Sequence, residues 1–401
     1  MKKITLLVIY PRGFTNFDYY KWEFDELKKK HNVNIVINVV DPIVNRKVDT
    51  LLSRSYKNII FSRSIKEWLK FFSKFDKRNT VIINHLEPVS FNSLVIQYFL
   101  SKSKIPILIN QNPQLSGDEK IPLSPRVLSN YLKTIFFNPS YTFFSIKFIL
   151  IRFMVSLLNF ENLTILKVGH KINKDFFEKN KTIGFHSWDY SRYQKINSKF
   201  KIKKLKNKNI IFLDQPGPYF PDDHSLTGKN EMFGYDIKKW YEDVNNYLDN
   251  IEEIYKTKVI VIPHPKVKGV KNIFYKKRLL DHSNDAAEKL IPASKFITTC
   301  GLTTAISFAI LSNKPIFLTY CEQQLNDLRE LADIEYTAKV TGAHVINRND
   351  LRRSNLLKSM QINKTLYNKY KYKYLATQEY KNERNSKLIS KFLKEIKGFK
   401  K

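Results

Sequence analysis

Residues 259–266 read VIVIPHPK: four β-branched residues followed directly by Pro263, His264 and Pro265. β-Branched residues favour strands, and a short unbroken apolar run is typical of a strand buried on both faces of a parallel sheet. In open α/β sheets, ligands bind outside the carboxyl ends of the strands. The stretch therefore predicts a buried parallel strand that ends at a ligand-binding edge, with His264 positioned there to donate a hydrogen bond or a proton to a phosphate.

Similar apolar runs recur along the chain and alternate with longer segments of helical spacing, such as 22–30, 64–75 and 237–255. Strands that alternate with helices indicate an α/β fold in which helices cover both faces of a parallel sheet. The runs that we expect to form strands are Ile4–Ile9, Val33–Val40, Lys57–Phe61, Thr80–Asn84, Ile105–Asn110, Leu163–Val168, Thr182–Phe185, Asn209–Leu213, Val259–Ile262, Phe296–Thr299 and Pro315–Leu318.

The chain of 401 residues is too long for one ordinary core and fits two domains of about 150–200 residues each. The very basic, polar stretch 198–208 is typical of a linker. We therefore expect an N-terminal α/β domain at 1–200, a C-terminal α/β domain at 205–375 and a terminal helix at 376–401. Both domains would be Rossmann-type parallel sheets that face a central cleft.

The segment from Leu128 to Phe160 is dense in Phe, Ile, Leu and Tyr, with Lys133, Lys147 and Arg152 spaced through it. Helices buried against the sheet would explain this composition. The alternative is an interfacial helix that lies on a membrane. Both interpretations stay open, and no run of about 20 uninterrupted apolar residues exists to form a membrane span.

The formal net charge is +32, which raises the question of a nucleic-acid partner. The lysines are spread along the whole chain, and no helix-turn-helix, zinc-finger or RRM signature is present, so we expect no nucleic acid. Attraction to an anionic inner membrane, with peripheral contact, is the better functional interpretation, and a basic surface that is merely solvated is the alternative. The two cysteines, Cys300 and Cys321, cannot form a disulfide framework, which favours a cytoplasmic location.

A second chemical signal lies at 296–305, FITTCGLTTA, where a predicted strand runs into a hydroxyl-rich turn around Gly301. A helix is expected to open at Thr303 or Thr304, and free N–H groups at a helix start bind anions. An ordinary threonine N-cap is the alternative. The nucleotide-binding candidates are Pro265, Lys266, Thr298, Thr299, Gly301, Thr303 and Thr304, with Glu322 as a partner for a ribose hydroxyl.

The third signal is the loop 213–225, which contains three prolines, one glycine and the carboxylates Asp214, Asp222 and Asp223. Long irregular loops of this kind are often functional, although aspartates also form turns and caps. The chain has no D-x-D motif, P-loop or G-x-G-x-x-G fingerprint. Phosphate charge would then be met by helix ends, His and Lys, so we expect no metal and no cofactor.

Together, residues 209–320 resemble the bacterial surface-polysaccharide glycosyltransferases of GT-B architecture, and more narrowly those that use CMP-activated sugars, the sialyltransferases and the Kdo transferases of capsule synthesis. The resemblance rests on an acidic early loop, on the strand-ending His264-Pro265 and on the hydroxyl-rich turn at 298–304. Two features depart from the family: threonine stands where serine is usual, and Asp223 precedes His264 by 41 residues (264 − 223).

The resemblance implies an inverting, metal-independent direct displacement in which Asp223 takes a proton from the acceptor hydroxyl, with Asp222 or Asp214 as alternates. His264 would bind and protonate the departing phosphate, which Thr303, Thr304 and the backbone around Gly301 would also hold. The resemblance also implies that 205–375 is the nucleotide-sugar donor domain and 1–200 the acceptor-side domain. The donor would be a CMP-activated nonulosonate and the acceptor a capsule or lipopolysaccharide glycan, free or lipid-linked. A UDP-sugar transferase, a non-hydrolysing UDP-sugar 2-epimerase and a polyol-phosphate transferase of wall-polymer synthesis remain alternatives.

Overall fold

The computed structural model describes residues 3–11, 13–44, 59–88, 90–111, 139–169, 180–200, 209–214, 236–263, 272–283, 285–326, 328–349 and 360–396. These residues form two compact units. The first contains the described residues of 1–112, 138–188 and 377–401, and the second contains those of 189–376. The chain thus passes into the second unit at Asp189 and returns to the first at Thr377.

The first unit is built on a sheet whose seven strands pair in parallel, in the order β3-β2-β1-β4-β5-β6-β7. This arrangement confirms the predicted α/β class. The strands are β1 (Ile4–Tyr10), β2 (Val33–Val39), β3 (Ile59–Phe61), β4 (Thr80–Asn84), β5 (Ile107–Gln111), β6 (Leu163–Val168) and β7 (Lys181–Phe185).

Helices cover both faces of this sheet. Neighbouring strand residues point to opposite sides, so a strand that is apolar throughout needs a core on each face. In β1, Leu6 and Val8 enter one hydrophobic core, while Leu7 and Ile9 enter the other. The helices of the unit are α1 (Asn16–Lys21), α2 (Phe24–His31), α3 (Asp41–Val44), α4 (Ile65–Phe72), α5 (Phe91–Lys102), α6 (Pro139–Ser156) and, from the C-terminal end of the chain, the helix Asn385–Ile396.

The helix predicted at 22–30 is α2, which begins at Phe24; Glu23, in the left-handed backbone region (φ +53°), separates it from α1. The Glu23 carboxylate is buried and accepts hydrogen bonds from the Arg384 guanidinium (2.7 Å) and from the Ser386 backbone N–H (3.1 Å). This pairing attaches the C-terminal helix to the first unit. The terminal helix predicted over 376–401 begins at Asn385, and a short 3₁₀ turn at Gln378–Tyr380 precedes it.

The second unit has a sheet of six parallel strands in the order β10-β9-β8-β11-β12-β13. The strand predicted at Val259–Ile262 is confirmed residue for residue, whereas β10 and β13 were not expected. The strands are β8 (Ile210–Leu213), β9 (Val259–Ile262), β10 (Leu279–Leu280), β11 (Ile297–Thr299), β12 (Ile316–Tyr320) and β13 (His344–Asn347).

Two hydrophobic cores again lie on opposite faces of the sheet: Ile211 and Leu213 of β8 enter one, and Ile210 and Phe212 enter the other. The long helix at 237–255 is confirmed and begins where the Asp236 side chain accepts a hydrogen bond from the Lys239 N–H. The helices of this unit are α7 (Trp188–Phe200), α8 (Ile237–Tyr255), α9 (Ala286–Ala293), α10 (Ile306–Ser312), α11 (Leu328–Thr341) and α12 (Lys364–Tyr370), so that the C-terminal helix of the chain is α13.

Candidate functional site

The second sheet has a topological switch point between β8 and β11. Counted from β8 in chain order, its strands lie in the sequence 3-2-1-4-5-6, the order of a doubly wound nucleotide-binding sheet. Leu213 at the end of β8 pairs with Ile262 of β9 on one side and with Thr299 of β11 on the other. Ligands of such sheets bind in the crevice outside the carboxyl ends of the strands at this point.

The three strands that precede the chemical signals of the sequence, β8, β9 and β11, are neighbours in this sheet. The acidic loop leaves β8, the His-Pro motif follows β9 and the hydroxyl-rich turn follows β11, and these are three adjacent strands. Asp214 follows β8 directly, and its N–H donates to the Ile262 carbonyl at 3.0 Å. The candidates His264, Pro265, Lys266, Asp222 and Asp223 lie outside the described residues.

Asp214 is the acidic candidate that the structure describes. Its side chain is buried, and neither carboxyl oxygen has a hydrogen-bond partner among the described residues. Burial raises the pKa of Asp214 to about 6, and the neighbouring Tyr275 hydroxyl opposes this shift. Burial and the nearby Asp214 together raise the pKa of Tyr275 well above its ordinary value. A buried carboxylate without an ion pair is costly to maintain, which marks Asp214 as a functional candidate.

Tyr275 lies near Asp214, and the segment that carries Tyr275 is anchored to α8. Arg278 donates to Glu252 (2.9 Å) and to Asn245 (2.9 Å), and it also pairs with Asp249. The loop that contains His264 is therefore bounded by β9 on one side and by this anchored segment on the other.

Two of the predicted binding threonines support the turn from inside the protein. Thr298 is hydrogen-bonded to the Tyr247 hydroxyl at 2.8 Å, and the Thr299 hydroxyl donates to the Gly301 carbonyl at 3.0 Å. Both side chains are fully buried. Their hydroxyl groups thus shape the turn. The Thr303 side chain is half-buried and accepts a hydrogen bond from the Ala305 N–H (3.3 Å), and the Thr304 side chain is exposed.

The helix after the turn begins later than the sequence suggested. We expected it to open at Thr303 or Thr304, but α10 begins at Ile306. The N–H groups of Ile306 and Ser307 donate to the carbonyls of Thr303 and Thr304 in tight turns, so they are not available to an anion. Within the described residues, the N–H groups of Gly301, Thr303 and Thr304 make no hydrogen bond, so donors for a phosphate would come from the turn itself.

A buried brace behind the turn was missed in the sequence. The Gln324 side chain donates to the Cys300 carbonyl (2.8 Å) and accepts from the Cys321 N–H (3.0 Å) and the Arg348 guanidinium (2.9 Å). Arg348 follows β13 directly and lies 4.7 Å above the Trp240 ring. Neither residue sits in a recognisable motif, so their role depends on the strand order. Glu322, the ribose candidate beside them, is exposed and pairs with Lys239 at 3.9 Å.

The first sheet has a corresponding switch point, between β1 and β4, and His85 lies there. The backbone N–H of His85 donates to the Ile9 carbonyl (3.0 Å), and the imidazole ring packs against Tyr10 and Trp22. The Nε2 atom is buried and has no partner in the described part of the chain. Burial, with a smaller effect from Lys21, lowers the pKa of His85 to about 3. The sequence contained the signal, because His85 follows an apolar strand as His264 does.

The described residues contain no group of three or more His, Cys, Asp or Glu side chains that could hold a metal ion. No helix in the described part of the chain is long and apolar enough to cross a membrane.

No protein-family profile matches the chain, and no curated protein sequence matches it. Solved structures do. Two of them are structures of the wall teichoic acid polymerase TagF, and both are histidine variants with 10% identity to this chain. The TM-score is 0.50 for the variant soaked with CDPG and 0.52 for the other, and each comparison covers 99% of this chain and 89% of the TagF chain. A UDP-N-acetylglucosamine 2-epimerase is 12% identical, with a TM-score of 0.50, over 100% of this chain and 98% of the other. At this identity the likeness shows the fold alone: an α/β, GT-B-like fold with two parallel-sheet units.

Proposed function

We propose that this chain is a glycosyltransferase that binds a nucleotide-activated sugar at the carboxyl edge of its second sheet and transfers the sugar to a glycan acceptor. The observation that supports the proposal is that the strands leading into the acidic loop, the His-Pro segment and the Gly301 turn are three neighbours at one switch point. Each signal is weak alone, because aspartates, histidines and threonines commonly end strands. Their convergence on three adjacent strands is what a nucleotide site of this fold class requires.

A CMP-activated nonulosonate, such as sialic acid or Kdo, is the donor that we propose. The support is the resemblance of residues 209–320 to transferases of that class, since the fold by itself does not choose among donors. A UDP-sugar transferase, a UDP-sugar 2-epimerase and a polyol-phosphate transferase are the alternatives. The similar solved structures include a teichoic acid polymerase and an epimerase, which keeps the last two in view.

The proposed reaction is a direct displacement without metal or cofactor. The acceptor hydroxyl oxygen bonds to the anomeric carbon of the donor while its proton moves to Asp223. The bond from that carbon to the phosphate oxygen breaks, and the nucleotide leaves with a proton from His264. The configuration inverts. General-base catalysis typically contributes about 10²–10⁴-fold, and fixed donors on the leaving phosphate add an electrostatic share.

Among the three acidic candidates, Asp214 is the least suited to take the proton itself. Both of its oxygen atoms are buried, so an acceptor hydroxyl has no direct route to them. We therefore retain Asp223 as the base, with Asp222 as the alternate. Asp214 would serve the site through its charge at the edge of the sheet, beside the segment that carries His264. An Asp223→Asn variant that kept full turnover would remove Asp223 from this role.

The acceptor that we propose is a surface glycan, such as a capsule or lipopolysaccharide chain, free or lipid-linked, at the cytoplasmic face of the inner membrane. The formal net charge of +32 supports attraction to that anionic surface. No nucleic-acid partner is proposed.

Thermal unfolding of the full chain with CMP, CDP, UDP or GDP, with and without EDTA, tests the donor site. A ligand at about 100 times its dissociation constant stabilises by about 2.7 kcal/mol, which shifts the midpoint measurably. We expect CMP to stabilise selectively, EDTA to have no effect, and His264→Ala to abolish the shift. His344→Ala, an exposed histidine at the amino-terminal end of β13 in the same unit, is the matched control.

A selective response to UDP would instead favour the epimerase or a UDP-sugar transferase, and a selective response to CDP would favour the polyol-phosphate transferase. No response to any of the four nucleotides would refute the nucleotide site. A CMP shift that EDTA removed would refute the metal-independent mechanism while leaving the nucleotide site in place.

A further inference from the structure

Helix α6 is apolar on two sides. Its inward side chains, Ile151 and Val155, are buried in the first unit. Its outward side chains are also large and apolar, and their exposed fractions run from 39% for Met154 to 72% for Phe143. The outward set, which continues just past the helix, is Phe143, Ile146, Ile149, Leu150, Phe153, Met154 and Leu157. A helix on the surface of a water-exposed domain normally carries polar residues there.

Helix α5 widens this surface. It packs against α6, and the Lys147 ammonium of α6 lies 5.6 Å from the centre of the Phe91 ring at the start of α5. Its own exposed apolar side chains are Phe91, Val95, Tyr98 and Phe99, spaced so that they form one stripe along the helix. We call the exposed side chains of 91–99 and 143–157 the α5–α6 face. Contiguous apolar surfaces of this kind mark interaction sites.

The charges on the α5–α6 face have one sign. Neither α5 nor α6 contains an aspartate or a glutamate. Three cations lie among the apolar side chains, each over an aromatic ring: Lys102 over Tyr98 (5.9 Å), Lys147 over Phe91 (5.6 Å) and Arg152 over Phe148 (5.4 Å). Long cationic side chains that lie along an apolar surface place their charged groups at its border.

We propose that the α5–α6 face docks on an anionic lipid bilayer. The apolar side chains would enter the boundary between headgroups and acyl chains, and Lys102, Lys147 and Arg152 would meet lipid phosphates. Helix α6 has 18 residues and is about 27 Å long, and it would lie in the plane of the membrane. The inference does not depend on the donor or on the nucleotide site.

A second copy of the chain is the competing occupant, and the charges argue against it. In a symmetric dimer the same face meets itself. Lys147 and Arg152 would then face like charges, with no carboxylate on either helix to pair with them. Lipid phosphates supply the missing negative charge, whereas the partner copy does not.

Co-sedimentation of the full chain with vesicles tests the proposal. The probes are vesicles of phosphatidylglycerol and phosphatidylethanolamine, compared with vesicles of phosphatidylcholine alone. We expect the chain to bind the anionic vesicles, and the triple variant Phe143→Ser, Phe153→Ser, Leu157→Ser to bind at least 100-fold more weakly. Lys147→Gln with Arg152→Gln should weaken binding about 30-fold, since each cation near an anionic surface contributes about a fivefold factor. Leu279→Ser, an exposed leucine in the second unit, is the matched control.

A depth measurement separates insertion from electrostatic adsorption. In a Phe153→Trp variant, lipids brominated on the acyl chains should quench the new fluorescence beyond the quenching seen for wild-type chain, and a Leu279→Trp variant should show no such increment. The proposal would be overturned if the triple variant bound anionic vesicles as tightly as the wild-type chain does. It would also be overturned if the Phe153→Trp variant showed no additional quenching. A chain that binds no vesicles but forms a dimer that the triple variant abolishes would overturn it too. Because none of the substituted residues is buried, unchanged unfolding midpoints verify that the variants are folded, and nucleotide binding is a separate readout.

Discussion

The buried carboxyl of Asp214 leads to a quantitative prediction: an Asp214→Asn substitution stabilises the protein at neutral pH. The carboxyl has a pKa of about 6 in the folded chain, against an ordinary value of 3.8. A raised folded pKa means that the native state holds the proton more tightly, so stability present below pH 3.8 is lost as the pH rises through 6. One pKa unit corresponds to about 1.36 kcal/mol, and the loss by pH 7.5 is therefore about 3 kcal/mol.

The amide of asparagine is neutral at every pH and nearly the same shape, so the variant avoids this loss. Relative to wild type, we expect Asp214→Asn to gain about 3 kcal/mol at pH 7.5 and about 1 kcal/mol at pH 4.5. For a unit of this size the gain at pH 7.5 corresponds to a rise of about 6–12 °C in the unfolding midpoint. Urea unfolding at the two pH values measures the difference directly.

Asp76→Asn is the control, because that carboxylate is half-exposed in the first unit, and its substitution should leave stability nearly unchanged. An Asp214→Asn chain that is equal to or less stable than wild type at pH 7.5 would refute the reasoning. So would a gain that is the same at both pH values, since it would not arise from ionisation. A stabilised variant that also loses its response to CMP would link the retained charge to the donor site.

Three further predictions follow from contacts inside the two units. His85 has a pKa of about 3 in the folded chain, below its ordinary 6.5. Because the folded pKa is depressed, wild-type stability is lost as the pH falls below 6.5. Between pH 7.5 and pH 5, urea unfolding should show that His85→Gln loses about 2 kcal/mol less stability than wild type. Glu23→Ala removes the buried partner of Arg384 and should destabilise by about 3 kcal/mol, whereas Glu23→Gln, which keeps one acceptor, should lose less. Gln324→Leu leaves the Cys300 carbonyl unpaired and should destabilise the chain by about 1–3 kcal/mol. It should also weaken CMP binding, which calorimetry measures; unchanged binding would show that the Gln324 brace does not support the nucleotide site.

Local chemistry accounts for the elements that were predicted well. The run Val259–Ile262 forms a strand over the predicted residues, because four β-branched side chains favour extended backbone and Pro263 ends the run. The helix Ile237–Tyr255 was equally readable from its spacing and its Asp236 cap. Where the prediction was wrong, as at the start of α10, tight turns at Thr303 and Thr304 use the backbone donors that a helix start would otherwise leave free.

The order of the strands in each sheet was not readable from the sequence. Apolar runs identify strands, but which run lies beside which depends on how the intervening helices cross the sheet. Placing β8 between β9 and β11 is what sets Asp214 beside the end of the strand that precedes the His-Pro segment and beside the strand that leads into the Gly301 turn. The same limitation hid Gln324 and Arg348, because a polar residue acquires its role from a partner far away in the chain.

What the sequence determined by itself was the class of fold, the candidate chemistry at the ends of its strands, and the apolar, basic character of 128–160, because each follows from residue type and spacing. The tertiary structure decided which strand ends are neighbours and which side of α6 is buried. Ile151 and Val155 face the core while Phe143 and Phe153 face outward, although all four residues are equally apolar. Their hydropathy could not separate them, since burial is set by packing partners that a linear sequence does not specify.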